Sequence, residues 1–140
     1  MSYGVAAALQ HAVFAQLCAD TALAALVGTD IYDALPTGAL PTVYVVLGAE
    51  DVRDASDKTG GGAWHQFTVS VVTQSAGFAT AKAAAAAVSD ALVDAPLVLD
   101  RGILVSLRFY KAKAARVGTG AVRQINLIFR ARVADDTSPN

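Results

Sequence analysis

Residues 30–48 read Asp-Ile-Tyr-Asp-Ala-Leu-Pro-Thr-Gly-Ala-Leu-Pro-Thr-Val-Tyr-Val-Val-Leu-Gly, and this passage decides how the chain must be laid out. Ile31-Tyr32 forms a brief edge strand. Pro36 and Pro41 have a fixed φ and no N–H to donate, so they belong in a loop and at the entry to a strand, not inside a ladder. Val43-Tyr44-Val45-Val46-Leu47 is the β-branched and aromatic mixture of a largely buried strand.

Upstream, Val5, Leu9, Val13 and Leu17 recur every four residues, with Phe14 and Cys18 alongside. This spacing predicts an amphipathic helix over about residues 3–19. Asp20 fits the N-cap of a second short helix that carries Leu23, Leu26 and Val27 and stops at Gly28, a left-handed C′ residue, with a kink near Asp20. Downstream, Glu50 to Gly62 has no apolar face and three consecutive glycines, and is expected to be a mobile loop. From Trp64 to Thr73, Phe67, Val69 and Val71 alternate with Gln66, Thr68 and Ser70, the pattern of a half-buried strand.

The alanine-rich run from Phe78 to Asp94 predicts a helix with a stripe of Ala84, Val88 and Leu92, flanked by Ala81 and Ala91 and closed by Pro96. Small side chains on that stripe let a helix approach a sheet closely. Two further alternating runs follow: Ile103, Val105, Leu107 and Phe109, then Ile125, Leu127, Phe129 and Ala131. Joined through Gly118-Thr119-Gly120, they make a long C-terminal hairpin. The expected fold is α+β: a mainly antiparallel four-stranded sheet with two helices on one face. Residues 1–134 are expected to form a single domain and 135–140 a flexible tail.

The chain has 140 residues, enough for one domain to bury roughly two-thirds of its unfolded surface. Only 16% of residues are charged, against a usual share of about 25%. Low charge is typical of subunit interfaces, and equally of an alanine-rich genome. The single cysteine, Cys18, excludes an internal disulfide and is expected to pack as a small apolar residue. The N-terminus carries no basic segment leading into an apolar core, and no stretch approaches the roughly 20 apolar residues that span a bilayer. A soluble product folding in a reducing cytoplasm, with no membrane partner, is expected.

Catalytic patterns are absent. His11 and His65 are far apart and neither joins a ligand-spaced cluster. Gly60-Gly61-Gly62 lacks the Lys-Ser/Thr pair and helix start of a phosphate loop, and Asp51, Asp54 and Asp57 lack the spacing and distal glutamate of a calcium loop. No enzyme activity, cofactor or metal is therefore expected.

Charge is unevenly spread. Before Asp100, nine acids accompany three bases, a balance of −6; from Asp100 to Val133, eight bases accompany one acid, a balance of +7. Arg101, Arg108, Lys111, Lys113, Arg116 and Arg123 on the hairpin, with Arg53, Asp54, Asp57 and Lys58 in the acidic loop, are the candidate subunit and partner contacts. The basic hairpin either pairs with the acidic surface of an identical neighbour or is the solvated side of two strands. Direct DNA binding ranks third, because neither a groove-entering helix nor stacking aromatics accompany it.

Taken in order, several pieces of this chain resemble the tail-completion, or tail-terminator, family of long-tailed bacteriophages and gene transfer agents. They are the helix ending in Asp20-Thr21-Ala22-Leu23-Ala24-Ala25-Leu26-Val27-Gly28, the Ile31-Tyr32-Asp33 strand, Leu35-Pro36 and Leu40-Pro41, and Val45-Val46-Leu47-Gly48. An acidic loop, a strand ending in a turn at Gly77, an alanine-rich helix, Leu97-Val98-Leu99 and Leu104-Val105-Ser106-Leu107-Arg108-Phe109 complete the series. The departure is Val72-Thr73-Gln74-Ser75, where the family often carries a tryptophan. The resemblance implies a structural virion protein assembled in the bacterial cytoplasm. It would form a ring, generally a hexamer, that ends the tail tube and joins it to the head-side connector or stopper protein, with DNA passing unread through the lumen. Another neck component, such as a head-completion or stopper protein, and a small-molecule binding module are the alternatives.

Overall fold

The computed structural model describes residues 3–56, 61–74, 78–118 and 122–135. In chain order the elements are α1 (Ala6–Ala19), α2 (Thr21–Val27), β1 (Ile31–Tyr32), β2 (Val43–Asp54), β3 (Gly62–Thr73), α3 (Ala79–Leu92), β4 (Ile103–Val117) and β5 (Val122–Ala134). The five strands form one mixed sheet in the order β1-β2-β3-β5-β4. The fold is α+β as expected, but with three helices and five strands in place of two and four.

The fifth strand is β1, which runs parallel to β2 through Ile31↔Val45 and Tyr32↔Val46. A parallel neighbour needs a crossover of about a dozen residues. Residues 33–42 supply one, and Pro36 and Pro41 fit such an extended connection. The kink at Asp20 is present: its carboxylate accepts from the Leu23 N–H at 2.8 Å and caps α2. Gly28 ends α2 at φ 62, in the half of backbone space that glycine tolerates best.

The acidic loop is the main correction. β2 runs on to Asp54, and the pairs Glu50↔Phe67 through Asp54↔Ala63 continue the ladder with β3. A bulge between Leu47 and Glu50 shifts the register, so the sequence breaks its alternation just where the strand continues. Charged side chains at 50, 51, 53 and 54 read as a loop because they are all exposed and Val52 alone between them packs against the core.

The core lies between the helices and one face of the sheet. Leu9, Val13 and Leu17 of α1 and Ala81, Ala84, Val88, Ala91 and Leu92 of α3 meet Val69, Val71, Ile125, Leu127, Phe129 and Leu107 from the strands. Phe129 is fully buried at its centre, stacked on Phe67 at 5.7 Å and edge-on to Phe109 at 6.0 Å. Cys18, expected inside, is exposed: one residue on from Leu17, it is turned about 100° off the buried stripe.

The long hairpin pairs from Ile103↔Ala134 to Val117↔Val122. β5 buries alternate residues as expected, whereas β4 does not. Bulges between Leu104 and Ser106 and between Phe109 and Lys111 reset its alternation. Leu107 is buried, while Ile103, Val105 and Phe109 stay exposed. Among the described residues no helix is long and apolar enough to cross a membrane.

Candidate assembly surface

With the helices on one side, the other face of the sheet is left without a covering layer of helix. Register places Asp51, Gln66, Arg130 and Arg108 in one cross-strand row of this face, and Arg53, Trp64 and Arg132 in the next. Trp64 is flanked by two guanidinium groups, Arg108 at 5.5 Å and Arg132 at 5.7 Å from the ring centroid. Arg130 stacks on Tyr110 at 3.7 Å while its Nε donates to Gln66 Oε1 at 3.1 Å. Planar cations on aromatic faces hold one another in fixed orientations. Asp51, Arg53, Trp64, Gln66 and Arg130 line an open depression of about 340 Å³.

The candidate contacts divide. Arg53 and Arg108 belong to this face, and Lys111 lies beside Tyr110, its ammonium 5.8 Å from the ring. Lys113 and Arg116 are exposed on β4. Asp54 ends β2 and accepts from Ser56 Oγ at 2.7 Å, the main cause that holds its carboxyl below its usual range. Arg101 and Arg123 are committed inside the molecule. Arg101 clamps Asp135 through Nε at 3.2 Å and Nη2 at 2.8 Å, raising its own pKa. Arg123 is buried and stacks on Phe78 at 5.6 Å. Asp57 and Lys58 lie outside the described residues, as do residues 136–140 of the expected 135–140 tail, whose first residue, Asp135, is buried in the grip of Arg101.

Trp64, Tyr110, Arg130 and Arg132 were not singled out from the sequence. The signal was the shared parity of Trp64 with Gln66 and of Arg130 with Arg132, but only the three-strand register brings these pairs together with Asp51 and Arg53.

Chemically, this face offers donors, cations, rings and the carboxylate of Asp51. Among the described residues no group of three or more His, Cys, Asp or Glu side chains is placed to hold a metal. His65 is wholly buried on the core face, where neither ring nitrogen has a hydrogen-bond partner among the described residues, and burial lowers its pKa. His11 is exposed on α1.

Arginine and aromatic side chains of this kind are enriched at the interfaces between protein chains. The chain belongs to the family described as tail completion protein gp17, whose model matches residues 11–134. It is thus a structural tail protein of a phage-like virion and not an enzyme. A solved structure of the virion of a native gene transfer agent (GTA) particle contains a chain 66% identical to this one. The match covers 95% of this chain and 99% of that chain, with a TM-score of 0.91. No curated protein matches.

Proposed function

We propose that copies of this chain close into a ring, a hexamer, that ends the finished tail tube and joins it to the connector or stopper protein on the head side, with DNA passing through the lumen. The observation that carries the reading is the match over residues 11–134 to a tail completion family, together with 66% identity to a chain in a gene transfer agent virion. By the same likeness, the particle this chain serves is a gene transfer agent.

The molecule's own surfaces support repeated contacts. The uncovered face of the sheet carries Arg53, Arg108, Arg130 and Arg132 around Trp64 and Tyr110, and arginine and aromatic residues dominate the binding energy of protein interfaces. The helix-bearing segments carry Asp20, Asp30, Asp33, Asp90 and Asp94 with Lys82 as their one base. Such opposed charge on one chain suits a heterologous contact, in which unlike surfaces of identical copies meet and a rotation closes the ring.

Electron microscopy of particles made without this chain tests the proposal. Tubes of uncontrolled length, unjoined to heads, are the expected result. Tails of normal length that merely fail to join would assign the chain to another place in the neck.

A further inference from the structure

The sheet has two open edges, and they are opposite in charge. On one side, β1 covers β2 only at Val45 and Val46, so the outer edge of β2 from Leu47 to Asp54 has no described strand beside it. On the other side, β4 pairs with β5 alone along its full length from Ile103 to Val117. Open edges of this kind present rows of backbone donors and acceptors, and monomeric proteins keep them short or cover them. Here the longest strand of the sheet is the uncovered one, and Ile103, Val105, Phe109, Tyr110 and Val117 on it are exposed.

Each open edge has one longest stretch free of bulges. In β2 it is Glu50–Asp54, with Glu50, Asp51 and Asp54 against Arg53; in β4 it is Lys111–Val117, with Lys111, Lys113 and Arg116 and no acid. Direction agrees as well. The pairs β2–β3, β3–β5 and β5–β4 are all antiparallel, so β4 runs opposite to β2. A second copy rotated about an axis along the strands therefore offers its β2 antiparallel to this copy's β4.

Resting on the ring reading above, we propose that neighbouring copies join edge to edge. Lys111–Val117 of one copy pairs with Glu50–Asp54 of the next, so that a single hydrogen-bonded sheet runs unbroken from copy to copy. Each copy uses both edges once, which is what a closed heterologous ring requires. Backbone hydrogen bonds supply the adhesion, and pairs of Lys111 or Lys113 with Asp54 and of Arg116 with Glu50 or Asp51 across the joint select direction and register.

Charge reversal with rescue tests this pairing in assembled particles. Glu50→Lys/Asp51→Lys/Asp54→Lys and Lys111→Glu/Lys113→Glu/Arg116→Glu are each expected to lower the amount of the chain recovered per particle by about tenfold, since each sets like charges opposite each other. Combining all six substitutions in one chain restores opposite charges and is expected to restore recovery. Unchanged recovery with either set, or no rescue in the combined chain, would overturn the proposal. Melting curves of the purified chains establish that each variant folds.

A second measurement holds even if one variant does not fold. In a Cys18→Ala background, Val52→Cys is combined in turn with Lys113→Cys, Ala114→Cys and Ala115→Cys, and purified particles are oxidised. At least one combination is expected to give a ladder of cross-linked multimers, and the absence of a ladder from all three overturns the edge pairing. If particles hold several copies but yield no ladder, the pairing fails while the ring stands; a single copy per particle defeats both.

Discussion

His65 and Gly102 show how much single residues carry. His65 occupies a core position opposite Val52 and Ala131, fully buried, and the desolvation that accompanies burial favours its neutral ring. Its folded pKa lies below the unfolded value of about 6.5, so the unfolded chain binds the extra proton first. Its effect on stability is therefore absent above about pH 6.5 and grows as pH falls below it, by at most about 1.4 kcal/mol per pH unit. Urea midpoints measured between pH 7.5 and 5 should fall for the natural chain, and the fall should shrink in His65→Leu. An equal fall in both would show that other groups drive the acid limb. Gly102 has φ 79, and a Cβ there would meet the Ala134 carbonyl oxygen at 2.8 Å and the Val5 side chain at 2.9 Å. Gly102→Ala should cost about 1–3 kcal/mol through strain and crowding, read as a lower melting temperature.

At the scale of elements, the sequence was legible wherever periodicity ran unbroken. The Leu9–Val13–Leu17 stripe, the Ala84–Val88–Leu92 stripe and the alternation of β5 all face the core as read. The cap at Asp20 was legible too, because its carboxylate serves a purely local need. Asp20→Ala should cost about 1 kcal/mol and fray α2, which hydrogen exchange at Leu23 would register. What misled the reading was irregularity. The bulge at Leu47–Glu50 hides the continuation of β2, and the one between Leu104 and Ser106 leaves Ile103 and Val105 outside the core, while Phe109 keeps its core-side register beside Phe129 but stays half exposed on the edge strand. The parallel partnership of β1 was missed because two residues carry no pattern of their own. The outer face, with Trp64 between Arg108 and Arg132, exists only through the register of β3, β5 and β4, which no local signal encodes.

At the scale of the whole molecule, the separation of charge visible in the sequence becomes two unlike surfaces. The helical layer and the edge of β2 are rich in acids, while the open face and the edge of β4 are rich in arginine and lysine. Arg101 and Arg123 stand apart from this pattern: one ties β5's end to the segment before β4, and the other packs on Phe78. Quantifying this chain against the tube subunit in purified particles, by mass spectrometry with labelled standards, tests the central claim most directly. The account predicts a fixed small multiple, about six per particle for a hexameric ring; a single copy would contradict it.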